Sequence, residues 1–245
     1  MSDALDILGI SRGAVVCIVG AGGKTTTMYR LAHEAAARGL PVVTTTTTAI
    51  QRPTPAQSPV CIVAAEVENL LEAVQTTLLT AQHITVVGNR IRADKHGAVD
   101  DETLALLREE SDVLIVEADG ARHNAIKAPA EHEPVVPPFT TCFLSVAGLH
   151  ALGRPLGEVC HRPERASLLT GLAPECVVTA EAIATLLGAA KGGLKGRPPS
   201  ASAWAVLTHH APATAAPALD IAHRLATAGY TGVIALSRSD SVHLA

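Results

Sequence analysis

Short apolar runs alternate along the chain with segments whose apolar residues recur at helical spacing. Residues 14–19 (AVVCIV) are continuously apolar, which is typical of a strand buried on both faces. Residues 25–38 follow, and within them Met28, Leu31 and Ala35 repeat on one face of a helix. The chain is therefore predicted to begin with a buried strand, a short turn and an amphipathic helix.

The same alternation continues along the rest of the chain. Further strands are predicted at residues 42–49, 84–87, 113–116, 141–146, 203–207 and 231–236. Further helices are predicted at residues 67–80, 100–110, 163–170, 179–187 and 215–228. This order favours an α/β fold with a mostly parallel sheet and helices on both faces. With 245 residues and no internal repeat, we expect a single domain over 1–245, with room for a small loop-and-helix insertion around 127–200.

Composition narrows the classes of function. The hydrophobic fraction of 48% and the charged fraction of 17% are typical of a soluble globular protein. A net charge of −4 and an aromatic content of 2% argue against nucleic acid as a partner. No apolar run reaches 18 residues, so no membrane span is expected, and the acidic start MSDALDILGI does not resemble a signal peptide. The five cysteines form no C-x-x-C pair. We therefore expect a cytoplasmic protein.

The turn after the first strand has the composition of a phosphate-binding loop. Glycines allow backbone N–H groups to point at phosphates, the following helix adds its positive end, a lysine reaches the β and γ phosphates, and a hydroxyl beside it ligates Mg²⁺. The order strand, turn, lysine, threonine, helix predicts a P-loop NTPase-like fold that binds Mg-NTP. The short G-x-x-G-K-T form is similar to that of Mur-type ligases; the alternative is a tight turn with a chance Lys-Thr. The predicted nucleotide-binding residues are Gly20, Ala21, Gly22, Gly23, Lys24, Thr25 and Thr26.

Two further segments complete the predicted phosphate and metal site. Residues 113–116 end in Glu117 and Asp119, which would bind Mg²⁺ or orient an attacking water, unless they are only a polar strand end. A run of threonines at 44–48 is explained equally well by β-propensity or by a hydroxyl near the metal. We therefore predict Lys24, Glu117 and Asp119 as catalytic residues, and Thr25, Thr46 and Glu117 as metal ligands.

Two polar loops are candidates for the substrate side of the site. The proline-rich loop after Glu117 carries substrate-binding candidates, and residues 161–165 open a helix where an arginine would complete the phosphate or substrate site. The alternatives are a charged surface loop and a salt-bridge cluster at a helix start. Adjacent histidines at 209 and 210 would point to opposite faces of a strand, so they are not predicted to form a site. The candidates are Arg162 for catalysis and Lys127, Glu131, His132, Glu133 and Arg165 for substrate binding.

Several motifs in one order resemble a known family over almost the whole chain. These are GAGGKTT (20–26), VEADGA (116–121), KAPAEHEP (127–134), HRPERASLLTGL (161–172) and GGLKGRPP (192–199). Together they are similar to the YqeC-like accessory proteins of selenium-dependent hydroxylases, also called selenium cofactor biosynthesis proteins. The resemblance implies an NTP-binding accessory protein for maturation of selenium-dependent molybdenum hydroxylases. Related proteins often carry an Asn-Lys/Gln-x-Asp-like segment where this chain has THHA (208–211), so the base, ATP or GTP, is not assigned.

Two hypotheses follow for the activity. In the first, the protein is an enzyme that hydrolyses NTP or transfers a phosphoryl or nucleotidyl group to a selenium or molybdenum cofactor precursor; an ATP-dependent ligase belongs to this class. In the second, it is a nucleotide-gated chaperone that delivers a cofactor to a molybdenum hydroxylase. A degenerate fold without nucleotide is a third alternative. The sequence does not indicate the oligomeric state.

Overall fold

A computed structural model describes residues 3–237 and 241–245. Its strands are β1 (Ala14–Gly20), β2 (Val42–Thr46), β3 (Ile50–Gln51), β4 (Val60–Val63), β5 (His83–Val87), β6 (Arg90–Arg92), β7 (Lys95–His96), β8 (Val113–Glu117), β9 (Ile126–Lys127), β10 (Cys142–Gly148), β11 (Cys160–His161), β12 (Ser202–Thr208), β13 (Gly232–Leu236) and β14 (Ser241–His243). Its α-helices are α1 (Ala4–Leu8), α2 (Lys24–Ala37), α3 (Leu70–Leu78), α4 (Asp101–Glu110), α5 (Leu156–Val159), α6 (Pro163–Thr170), α7 (Ala180–Gly188) and α8 (Ala215–Leu225).

Nine strands form one sheet in the order β14-β13-β12-β10-β1-β8-β2-β5-β4. All neighbouring pairs are parallel except β13 with β14. Two small sheets lie beside it, one of β3, β7 and β6 and one of β9 and β11. The predicted α/β class with a mostly parallel sheet is confirmed, and the prediction of one domain over 1–245 stays a prediction.

Helices cover both faces of the sheet because the side chains of each buried strand alternate between two cores. In β1, Val16 and Ile18 pack in the core that holds α1 and α2, whereas Val15 packs in the core that holds α3 and α4. A third core joins α7 and α8 to β12 and β13. Continuous apolar runs are thus buried on both sides, as expected of a parallel sheet. Across the described parts of the chain, every helix is too short or too polar to cross a lipid bilayer.

Several predicted boundaries differ from the structure. The strand predicted at 42–49 ends at Thr46, and the following threonines form a bend. The edge strand β4 falls in a segment interpreted as a proline-marked loop, because four residues after a proline carry too little periodicity to be recognised. The same reason applies to the two-residue strands β3, β7, β9 and β11.

The register brings the functional motifs to one edge of the sheet. Gly20 at the end of β1 lies opposite Val146 of β10, and Ile18 lies opposite Glu117 of β8. Thr46 of β2 also lies opposite Glu117. Since parallel strands end on the same side, the turn after β1 is surrounded by the ends of β8, β2 and β10, which is where open α/β sheets bind ligands.

Candidate functional site

The turn between β1 and α2 depends on glycine. Gly20, Gly22 and Gly23 adopt φ of 98°, 78° and 128°, a region that other residues rarely adopt. A Cβ on Gly20 would lie 2.3 Å from the Val146 carbonyl oxygen, and one on Gly22 would lie 2.3 Å from the Ala125 carbonyl oxygen. Backbone from two neighbouring segments therefore approaches the turn too closely for any side chain at these positions.

The other residues of the turn divide between support and exposure. Ala21 is buried, and its amide donates to Val146 across 3.0 Å. Thr208, at the end of β12, donates its hydroxyl to the carbonyl oxygen of Gly22. Thr26 lies on the open side, where it lines a large cleft. The turn is thus tied to β10 and β12 from below, and its open side faces the cleft.

Lys24 is folded over the turn and is almost fully buried. Its Nζ donates to the carbonyl oxygen of Gly20 at 2.8 Å and lies 3.2 Å from Asp119 Oδ1 and 3.8 Å from Glu117 Oε1. The two predicted carboxylates therefore do converge on the predicted lysine. In this arrangement two protein carboxylates surround the ammonium group of Lys24.

Thr25 and Glu117 bring a hydroxyl and a carboxylate oxygen side by side. The Thr25 hydroxyl donates to Glu117 Oε2 at 2.7 Å. Burial raises the pKa of Glu117, and the charge of Asp119 adds to this, while Lys24 and the hydrogen bond from Thr25 oppose it. One carboxylate and one hydroxyl suit Mg²⁺, which takes few protein ligands and completes its shell with phosphates and water. The described residues contain no cluster of three or more His, Cys, Asp or Glu side chains that could hold a metal ion.

Thr46 lies next to this pair but faces away from the cleft. Its hydroxyl donates to the backbone carbonyl of Glu117 at 2.8 Å and accepts from the amide of Thr48 at 3.1 Å. The structure thus gives Thr46 a bracing position between β2 and β8, and its predicted metal role stays a prediction. Thr48, which the sequence analysis did not single out, lines the cleft.

A chain of alternating charges runs from the glycine turn to the start of α6. The Gly20 amide donates to Asp119 Oδ2 at 3.1 Å, and Lys127 Nζ lies 2.9 Å from the same oxygen. Lys127 Nζ also donates to Glu133 at 2.7 Å, and Arg162 donates to both oxygens of Glu133 at 2.8 and 3.2 Å. The Lys127 side chain is only 1% exposed, so it is a buried cross-link between two carboxylates.

Glu133 is held ionised by this chain. Burial opposes ionisation, but the hydrogen bonds from Arg162 and Lys127 and the charge of Lys127 outweigh it and lower the pKa of Glu133 to about 2. Glu133 and Arg162 both line the cleft, whereas Asp119 and Lys127 lie beneath it. The residues below the surface therefore position those that face the ligand space.

The other substrate-binding candidates lie apart from the turn. The Glu131 side chain is 91% exposed and lies 3.9 Å from Arg165, and His132 is also exposed. None of the three is among the residues that line the cleft. Their binding role stays a prediction. Lys195 fastens this loop from outside by donating to the carbonyl oxygens of Ala130 and Glu131.

The cleft above the turn has a volume of about 710 Å³, within the usual range for small-molecule sites. Five cations and two carboxylates line it, although the chain as a whole carries a net charge of −4. Backbone strain is concentrated there too. All four non-glycine residues that the described chain holds at positive φ line this cleft: Arg122 (48°), His123 (63°), Arg162 (67°) and His209 (58°). Such strain gathers at binding and catalytic sites, so it marks the cleft independently of any motif.

Sequence reasoning missed two histidines at one end of the cleft. The rings of His150 and His209 lie 4.0 Å apart between centroids, beside the glycine turn. Each follows a strand end, β10 or β12, and that position was the available signal. The argument that His209 and His210 point to opposite faces assumed a continuing strand, but β12 ends at Thr208 and His209 is left-handed.

Comparison with known proteins gives one family. A family model described as "YqeC protein" matches residues 16–164, which include the glycine turn, the end of β8 and Arg162. A protein of Escherichia coli (strain K12) named "Uncharacterized protein YqeC" is 33% identical over 196 residues, covering 79% of this chain and 75% of that protein.

Proposed function

We propose that this chain, which belongs to the YqeC protein family, binds a magnesium nucleoside triphosphate in the cleft above residues 20–26. The observation that carries the proposal is the contact of Thr25, at the start of α2, with Glu117 from the adjacent parallel strand. A glycine turn, a lysine and this hydroxyl–carboxylate pair form together the set of groups that a triphosphate with its metal requires.

Each group has a role that follows from its position. The amides at the start of the 14-residue helix α2 and the positive end of its dipole would face the phosphates. Lys24 would exchange the Asp119 and Glu117 carboxylates for β and γ phosphate oxygens. Asp119 also lies 2.9 Å from Lys127, and Glu117 would gain Mg²⁺, so neither buried carboxylate would be left without a cation after this exchange.

Thr25 and Glu117 would hold Mg²⁺, which neutralises phosphate charge and fixes the orientation of the triphosphate. In the structure the Thr25 hydroxyl donates its hydrogen bond to Glu117. When Mg²⁺ binds, the oxygen of this hydroxyl would turn towards the ion. Glu117 must be ionised to serve as a ligand. Because burial raises its pKa, protons would compete with the metal for this carboxylate as the pH is lowered.

We propose further that the bound nucleotide is hydrolysed or donates a group, in a step that serves maturation of selenium-dependent molybdenum hydroxylases. The open cleft beyond Glu117 supports the proposal of group transfer, because it offers space lined by positively charged side chains, among them Arg122 and Arg162. Arg162, fixed by two hydrogen bonds to Glu133, faces this space and is suited to stabilise charge on a transferring group.

Calorimetric titration with Mg-ATP and Mg-GTP tests the proposal. Wild-type protein is expected to bind one of them with one site per chain. Lys24→Ala is expected to weaken binding by about 10- to 100-fold, as the loss of a charged hydrogen bond implies. Lys191→Ala, at an exposed lysine outside the cleft, should bind as the wild type does.

Thr25→Val provides a second variant if Lys24→Ala folds poorly. It should bind nucleotide weakly and lose the dependence of binding on Mg²⁺. Folded wild-type protein that binds neither nucleotide, or unchanged affinity in both variants, would exclude the proposed site.

A further inference from the structure

We infer that the cleft has a second anion site, built by Arg122, His123, His161 and Arg162, and that it receives the phosphate group of a second small-molecule substrate. Identifying the ligand as a second substrate rests on the proposed function. The anion site itself rests on charge and geometry. We call these four residues the Arg122 wall.

The Arg122 wall is brought together by a short parallel strand pair. Lys127 of β9 lies opposite His161 of β11, so the segment that leads from Arg122 and His123 into β9 runs alongside the segment that leads through His161 to Arg162. Arg122 and His123 come from that loop, and Arg162 follows β11. All four wall residues line the cleft. The wall is therefore formed by two segments that the fold holds side by side.

The side chains of the Arg122 wall extend from a strained backbone. Arg122 and His123 are consecutive left-handed residues, and Arg162 is left-handed as well. The Asn124 amide and side chain both donate to the Ala121 carbonyl, which closes the loop around the strained pair. A loop that needed only to turn would use glycine or asparagine here. Arginine at two of these three positions is uncommon, which points to a role for the arginine side chains in the cleft.

The positive charge of the wall is only partly neutralised by carboxylates of the described residues. Within residues 3–237 and 241–245, no carboxylate pairs with Arg122, and Glu133, which pairs with Arg162, is shared with Lys127. The field is felt by His161, whose pKa is lowered by burial first and then by the charges of Arg162, Lys127 and Arg122, against Glu133. A bound anion would supply a counter-charge for Arg122, whose side chain is exposed in the cleft.

The two ends of the cleft differ, and this sets the direction of the nucleotide. At the β10 and β12 end, the rings of His150 and His209, tilted by 54° to each other, would offer a contact for the ring of a base. Burial, together with the charges of His209 and Arg154, lowers the pKa of His150, so this ring favours the neutral form. Thr25 and Glu117 stand on the β8 side of the turn, so the γ phosphate would point towards them. The loop that carries Arg122 and His123 runs to Ala125, whose carbonyl oxygen accepts from the Gly148 amide above the turn. The second anion would therefore sit in the same cleft as the γ phosphate.

Histidine NMR with inorganic phosphate as the probe tests the inference. The His161 imidazole signals, assigned with His161→Gln, are followed while phosphate is added to free protein, to protein saturated with Mg²⁺ and a non-hydrolysable ATP analogue, and to Lys24→Ala. Saturable shifts and a higher pKa of His161 are expected in all three, because an added anion stabilises the imidazolium.

Arg122→Asn removes the charge but tolerates the left-handed backbone, and it should weaken phosphate binding at least about fivefold, the value of one modest charged contact. Arg12→Asn, at the opposite end of β1, is the matched control and should bind phosphate as the wild type does. No saturable shift, or unchanged affinity in Arg122→Asn, would overturn the inference. So would a shift that saturating nucleotide abolishes, since the wall would then hold the γ phosphate. Persistence of the shift without any nucleotide affinity would instead overturn only the nucleotide proposal.

Discussion

Replacing Lys127 with methionine tests the buried charge chain beneath the site. Methionine keeps the length and apolar stem of lysine but leaves Asp119 and Glu133 without their shared cation. These carboxylates lie 2.9 and 2.7 Å from Lys127 Nζ, and their side chains are 2% and 15% exposed. The free energy of unfolding is expected to fall because two charges would remain in a poorly solvated place.

The expected loss of unfolding free energy depends on the partners that each carboxylate retains in Lys127→Met. Removing one partner of a buried ion pair costs about 3–5 kcal/mol. Asp119 retains Lys24 and the Gly20 amide, and Glu133 retains Arg162, so the lower end, about 3 kcal/mol, is expected. Lys191→Met, at an exposed position, should change stability by no more than about 0.5 kcal/mol.

The loss of stability in Lys127→Met should depend on pH. The folded-state pKa of Glu133 is about 2, below its ordinary value of 4.5, so its ionised form stabilises the fold above 4.5 and this contribution is lost as the pH falls towards 2. Loss of Lys127 raises this folded pKa and shrinks the contribution. The deficit of Lys127→Met should therefore be largest at neutral pH and narrow below about pH 4.5.

Urea denaturation followed by circular dichroism, at several pH values, gives these free energies. The double variant Lys127→Met/Glu133→Gln should recover part of the deficit, because it removes one of the stranded charges. A Lys127→Met protein within about 0.5 kcal/mol of wild type, or a deficit that does not change with pH, would refute this reasoning.

Three further predictions concern the turn and the metal ligands. Gly22→Ala should lower nucleotide affinity, measured by calorimetry, at least about tenfold, because its methyl group would lie 2.3 Å from the Ala125 carbonyl oxygen. The control Gly9→Ala is also at positive φ, but its methyl group would have nothing within 4 Å, so this variant should bind nucleotide normally. Equal affinities would contradict this account of the turn. Thr208→Val should cost about 1 kcal/mol in urea denaturation by releasing the Gly22 carbonyl, and an unchanged midpoint would argue against that bond. Apparent Mg²⁺ affinity should fall as the pH is lowered towards the raised pKa of Glu117, since protons compete for the carboxylate. The Glu117→Gln variant should lose both the Mg²⁺ affinity and its pH dependence. If Mg²⁺ binding to this variant still depended on pH, Glu117 would be excluded as the ligand.

Much of the site was predictable because its parts follow strands with strong patterns. The buried run of β1, the glycine turn and the apolar face of α2 are local features, and the structure joins them as expected. Glu117 and Asp119 were also assigned to the neighbourhood of Lys24 from their place after a buried strand. In each case the residue follows a parallel strand, and the carboxyl ends of parallel strands lie at the same edge of the sheet.

What the sequence did not reveal depends on pairings between distant segments. The shared burial of Lys127 with Asp119 and Glu133 requires the contact of β9 with β11, and two-residue strands have no detectable period. The exposure of Glu131 beside the burial of Lys127 likewise reflects the course of a proline-rich loop. Left-handed residues such as Arg122 and His209 could not be foreseen, because neither residue type favours that conformation strongly enough to be recognised.

The most direct test of the central claim follows the backbone amide signals of ¹⁵N-labelled protein while Mg²⁺ and a non-hydrolysable ATP analogue are added. The account predicts saturable shifts that are largest at residues 22–26, extend to Glu117 and Thr48, and disappear in Lys24→Ala. Nucleotide that binds while these amides stay unmoved, or shifts of the same size in Lys24→Ala, would contradict it.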